Sequence, residues 1–194
     1  PTDTMPGLDF SLTLLTFDAH ISADRIIEKS DRNLSTIEKI IDNVATKEDV
    51  LESHNVINEF IKSLGISIDE ELVKIQKLRE DADMLGLKAQ YKEPFVKEFV
   101  FHNPKSFQIA KTIRAYDTLM QEADVAWLGD IITSDQRKTL KQLISGKINQ
   151  LANKIATLAT RCRTLNNEKR REDQSRRDKQ RNVAKVGAEK PVKL

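Results

Sequence analysis

Pro94-Phe-Val-Lys-Glu-Phe-Val-Phe-His-Asn-Pro-Lys-Ser-Phe107 is the stretch on which the fold of this chain turns. It changes period in its middle. Phe95, Phe99 and Phe101 fall on one side of an alternating run, with Lys97 among them, while Val96, Glu98 and Val100 fall on the other. A period of two marks a strand, so 95–101 reads as a strand with an aromatic face. Asn103-Pro104 then punctuates. Asn offers a side-chain oxygen to the first free N–H groups of a helix, and Pro fits the first helical position, where its missing N–H costs nothing. From there the apolar spacing is helical: Ile109, Ile113, Tyr116, Met120, Ala123 and Trp127 form one stripe that stops near Gly129. Four of the seven Phe residues lie between Phe95 and Phe107, so the strand is expected to lock onto the core here.

Upstream, the Thr-rich run Phe10–Phe17 is a second strand, with Phe10, Leu12 and Leu14 opposite Ser11 and Thr13. The two strands either pair with each other or contribute one strand per subunit across a dimer. Between them, Ser22 reads as the cap of a helix running to about Val44 on the stripe Ile27, Ser30, Leu34, Ile37 and Ile41. A second helix spans Lys47 to Leu64 and closes at Gly65. Ser67-Ile-Asp-Glu70 has the form of a capping box and opens a third, which Gly86 ends. Downstream, Thr133-Ser-Asp-Gln136 is another capping box and starts the longest helix. Its apolar stripe steps by threes and fours through Ile144, Ile148, Leu151, Ile155, Leu158, Cys162 and Leu165. Such a stripe serves as the spine of a domain or as a seam with a second copy, and Ile144, Ile148, Leu151, Ile155 and Leu158 are the candidate homodimer contact.

These elements predict a mainly α fold: about five helices, with short strands at about 10–17 and 95–101, inside one domain over residues 10–166. An embellished ribbon-helix-helix with strands paired across a dimer is one form this architecture takes. Residues 1–9 read as a flexible lead-in. Composition agrees, since 39% hydrophobic and 32% charged side chains with only six Gly and five Pro favour long, charge-faced helices. No run of about 18 apolar residues occurs, so no membrane partner is expected. The absence of a secretory pattern and the single Cys162 point to the cytoplasm.

The net charge of +2 hides an asymmetry. From Arg161 to Leu194 there are twelve Lys/Arg against five Asp/Glu, and the rest of the chain has twenty against twenty-five. No apolar side chain appears between Leu165 and Val183, so residues 167–194 are expected to be a basic, largely disordered tail. Opposite charges at helical spacing, Glu172 with Arg176 and Asp173 with Arg177, support some helix there. An acidic body with a basic tail points to a polyanion, and double-stranded DNA is the expected partner. The candidate DNA-binding residues are Lys169, Arg170, Arg171, Arg176, Arg177, Lys179 and Arg181 in the tail, with Lys105, Lys111 and Arg114 near the helix start after Asn103. Lys97 at a strand edge joins them, and Ser11 and Thr13 face away from the core as a groove-reading ribbon requires.

Chemistry finds little support. His20, His54 and His102 form no ligand set with Cys, Asp or Glu at metal-binding spacing, and there is neither a glycine-rich phosphate loop nor a G-x-S-x-G elbow. The expectation is a protein that is not an enzyme, with no cofactor, no metal and no small-molecule substrate.

Phe99-Val-Phe-His-Asn-Pro-Lys-Ser-Phe107, then Ala110, Ile113, Tyr116-Asp117, Leu119 and Gly129-Asp-Ile131, resembles a pattern in proteins of integrative and conjugative elements. Among these it is most similar to the AcaB-type transcriptional activators of conjugative plasmids, over about residues 95 to 165. The resemblance implies a dimeric DNA-binding regulator with a ribbon-helix-helix element that switches on transfer genes. Asn103, Pro104 and Asp117 match the pattern as structural residues: cap, helix start and ion pair. A second class stays open, a non-enzymatic structural or accessory protein of a conjugative element that dimerises through its long helix and binds other proteins.

Overall fold

Alternation at the two strands is resolved by their pairing. In the computed structural model, which describes residues 6–44 and 47–188 (41–54 and 182–188 in backbone only), β1 (Leu8–Leu14) lies antiparallel to β2 (Phe95–Phe101). Register runs from Leu8 opposite Phe101 to Leu14 opposite Phe95. Leu12, Leu14, Phe99 and Phe101 therefore share the buried face, and Phe10, Phe101 and Phe107 pack ring against ring at 5.1 to 6.4 Å. The two-stranded ribbon is thus made within one chain, not from one strand of each of two subunits. Residues 1–5 of the lead-in lie outside the described residues.

Four helices follow from the described residues, not five: α1 (Phe17–Val44), α2 (Lys47–Asp81), α3 (Pro104–Leu128) and α4 (Ser134–Ala188). The expected second and third helices are one. Gly65 sits inside α2 with open space where its side chain would be, and the Ser67 hydroxyl donates to the Ser63 carbonyl instead of capping a new helix. An interior Gly costs about 1 kcal/mol, whereas Ile57, Ile61, Leu64, Ile68 and Ile75 run buried across it against α3 and α4. Burial wins over propensity. α2 then ends at Asp81, short of Gly86, because Asp83 takes a left-handed backbone (φ 56°) and the Met84 N–H bonds the Arg79 carbonyl.

α1 starts earlier than Ser22. Thr16 is its cap, with its hydroxyl accepting from the Ala19 N–H at 3.4 Å, while Ser22 bonds back to the Asp18 carbonyl. β1 correspondingly ends at Leu14. The other caps are where the spacing puts them. Asn103 Oδ1 accepts from the Lys105 N–H at 2.9 Å, and Thr133 and Gln136 exchange reciprocal bonds of 2.7 and 3.1 Å.

α1 packs on α3 and α4, α2 packs on the same two from the other side, and α1 and α2 meet little. Thr16 against Asp117 and Glu38 against Asn103 make α1 and α3 antiparallel. Asp18 against Lys141 and Asn33 against Arg163 make α1 and α4 parallel. The α4 stripe fills the middle. Ile144, Ile148, Leu151, Ile155, Ala159 and Cys162 are buried in the chain's own core, and Leu158 packs beside them. The face expected to meet a second copy is covered by α1 and α2.

Candidate nucleic-acid interface

α4 outlasts the bundle. Cys162 is its last buried residue, Leu165 is 39% exposed, and every described side chain from 167 to 181 is open to solvent. The helix nevertheless continues to Ala188, through the stretch that its composition sets apart as a tail. At 1.5 Å per residue, residues 167–188 extend about 30 Å beyond the core. No described side chain from 167 to 181 is apolar. Continuity with a buried α4 removes the cost of nucleating a helix, and Gln174 bonds Asp178 one turn on. Arg163, at the root, donates to Asn33 on α1 at 3.3 Å. Lys169, Arg170, Arg171, Arg176, Arg177, Lys179 and Arg181 all lie on this extension.

The other candidate cations have work inside the fold. Lys97 is on the inner side of the ribbon, with its amine 3.2 Å from Asp24 and 2.9 Å from Glu28 and 5.3 Å from the Phe99 ring centre. Lys111 covers the Phe107 ring at 4.4 Å. Arg114 lies over Phe10 at 5.0 Å and donates to the Ser11 carbonyl at 3.2 Å, closing the outer edge of β1. Burial depresses the Lys105 amine below the ordinary lysine range, against the opposing pull of Glu38. Ser11 and Thr13 do face outward, but the residues beside them on that face are Asp9, Val96, Glu98 and Val100. A ribbon face with two carboxylates and no cation repels phosphate.

Tertiary structure brings two sequence-distant features to one end of the bundle. The Asn103–Glu38 bond (2.9 Å) puts the start of α3 beside the C-terminal half of α1, and the Arg163–Asn33 bond puts the root of the extension beside the same half. Here too is a cleft of about 550 Å³ lined by Leu8, Phe101, His102, Asn103, Phe107 and Lys111, with His102 3.6 Å from Asp31.

The opposite end is closed by polar contacts that spacing does not reveal. Arg137 bonds Asp124 at 2.5 Å and approaches Asp18 at 3.7 Å, Lys141 reaches Asp18, and the Tyr91 hydroxyl donates to Asp124 at 2.8 Å. Burial, then the Asp124 carboxylate, raise the Tyr91 hydroxyl far above its usual range, so it stays a donor. Arg79 is 2% exposed; it pairs with Glu122 and donates to the carbonyls of Met84, Leu85 and Leu87, fastening the loop after α2. Asp117, expected in an ion pair, has no cation partner among the described residues. It accepts from the N–H groups of Leu15 and Thr16, the Thr16 hydroxyl and Gln121. These groups join α1, α2, α3 and α4 and the loop after α2 to one another. Among the described residues no cluster of His, Cys, Asp and Glu suits a metal ion, and no helix is long and apolar enough to cross a membrane.

The chain is similar to the solved crystal structure of AcaB from uropathogenic E. coli, with a TM-score of 0.79 and 25% sequence identity over 88% of each chain. At 88% of the chain, the likeness reaches well beyond the 95–165 segment. No protein-family model matches the chain, and no curated protein matches it.

Proposed function

We propose that this chain is a DNA-binding transcriptional regulator, an activator of conjugative-transfer genes that works as a homodimer in the cytoplasm and has no catalytic role. The AcaB-like fold over 88% of the chain carries the regulator reading. What supports DNA as the ligand is the α4 extension: a helix whose described side chains from 167 to 181 form no apolar face, leaving an acidic body and bearing the basic side chains. Lys97, Lys105, Lys111 and Arg114 hold supporting places around the ribbon and the α3 start, so the extension is the principal phosphate contact in this reading. The dimer contact lies away from the α4 stripe, which the chain itself buries.

A salt titration of binding to duplex DNA, followed by fluorescence anisotropy, tests the reading. Affinity falls with a log–log slope of about −0.9 per phosphate contact, and a chain ending at Asn166 shows a flatter slope and weaker binding. Absence of duplex binding by the intact chain at low salt would sink it.

A second reading, a protein-binding accessory component of a conjugative element, is favoured by exposed apolar side chains at the other end of β1 and β2. Phe17 is 72% exposed and Val96 55%. Such a protein would keep its partner after loss of residues 167–194 and would ignore DNA.

A further inference from the structure

The basic side chains of the extension are not spread evenly around it. At 3.6 residues per turn, Arg170, Gln174, Arg177 and Arg181 fall at steps of four, three and four, within an arc of about 60°. No acidic residue lies in that arc. Asp173 and Asp178 flank it, and Glu168 and Glu172 are on the far side, among Lys169, Arg176 and Lys179. Arg163, one heptad before Arg170, continues the same line back to its contact with Asn33 on the body. Arg170, Arg177 and Arg181 form no ion pair with any described residue, and their side chains are exposed.

Resting on the DNA-binding reading, we infer that this arginine line is the docking face, and that the extension lies along the major groove of duplex DNA with Arg170, Gln174, Arg177 and Arg181 turned toward it. The chemistry of the helix selects the occupant. A membrane surface or a partner helix needs an apolar stripe, and the described side chains from Asn166 to Arg181 include none. A polyanion needs only spaced cations. The groove dimensions then decide which polyanion. The B-form major groove, about 12 Å wide, admits an α-helix of about 10–12 Å diameter, as continuous basic-region helices use it. From Arg170 to Arg181 the helix rises about 16 Å, roughly half a turn of duplex, so its arginines reach successive phosphates or guanine edges along one groove. Gln174, in mid-line, has the side chain that pairs with an adenine edge. A-form RNA has a major groove too narrow for the same fit.

Two variants of the full chain with equal loss of charge test the face: R170Q/R177Q/R181Q, and K169Q/R176Q/K179Q on the far side. Gln keeps helix propensity, and far-UV circular dichroism with thermal melting checks that both fold. The first variant is expected to flatten the salt slope for duplex DNA by roughly 2.7, that is about 0.9 for each of three lost contacts, and the second to leave it close to that of the intact chain. Equal weakening by the two variants overturns the docking face while leaving DNA binding in place, since net charge alone would then suffice. Binding of duplex RNA as tight as DNA, through the same three arginines, overturns the major-groove placement. If the intact chain binds no duplex at low salt, the regulator reading and this inference fall together.

Discussion

Asp117 on α3 accepts two hydrogen bonds from Thr16, one from its backbone N–H and one from its hydroxyl, each 2.7 Å long. The Leu15 N–H adds a third at 3.0 Å. A carboxylate of another helix thus sits at the N-terminus of α1, where unpaired N–H groups and the helix dipole both favour negative charge. It joins the end of β1, the start of α1 and the middle of α3 at one buried point.

Asp117→Asn keeps the shape of the side chain and removes the charge and one acceptor. Its expected cost is about 2–3 kcal/mol of unfolding free energy, from a weakened dipole interaction and a buried N–H left unpaired. Urea denaturation measures it. An unchanged midpoint would mean that the clamp contributes nothing.

Gly65→Ala tests the continuity of α2. With open space at the Cβ position and a helical backbone, Ala is expected to stabilise by about 0.5–1 kcal/mol. A helix that ended there in a left-handed glycine would be destabilised by the same change, so the sign of the shift in melting temperature separates the two.

Leu151→Ala probes the α4 stripe. Leu151 is 1% exposed inside the chain's own core, so the substitution is expected to lower monomer stability by about 2–5 kcal/mol. The mass of the particle in solution, measured by light scattering on folded protein, is expected to stay as it is. A change in mass with no loss of stability would make the stripe an intersubunit seam after all.

Cys162 is buried against the bundle, and burial raises its thiol above the ordinary range, the nearby Arg161 pulling the other way. A folded-state pKa above the unfolded one contributes stability that is complete below the unfolded value, about 8.5, and is lost as pH rises through the folded one. Native protein is therefore expected to react slowly with a thiol reagent at pH 7.5, and fully once unfolded in urea. Fast labelling of the folded chain would place Cys162 at the surface.

Local periodicity at Phe95–Phe101 and the Asn103-Pro104 punctuation were legible because each is encoded within a few residues: alternation, a side-chain acceptor, a missing N–H. The Thr133–Gln136 capping box was legible for the same reason. Gly65 misled because glycine at a helix end and glycine in a helix interior look alike locally, and only burial of the flanking isoleucines distinguishes them. Ser67 misled similarly, since Ser-x-x-Glu opens a helix only where the chain is not already helical. Arg79 and the Arg137–Asp124–Asp18 cluster had no signal at all, and Asp117 was marked as structural but with the wrong kind of partner, because the partners of all these groups are distant in the chain.

By itself, then, the sequence determined the helical class, the two strands, the caps at Asn103 and Thr133 and the separation of charge between body and C-terminal stretch, all of which follow from composition and short-range spacing. Tertiary structure decided how the same residues are used. It paired the strands within the chain, turned the α4 stripe inward as the core, and set Lys97 against Asp24 and Glu28. It also carried α4 past the core as one helix, which gathers Arg170, Arg177 and Arg181 on one face. Those outcomes depend on which surfaces meet, and desolvation of apolar faces and pairing of buried polar groups act across distances in sequence that no local pattern records.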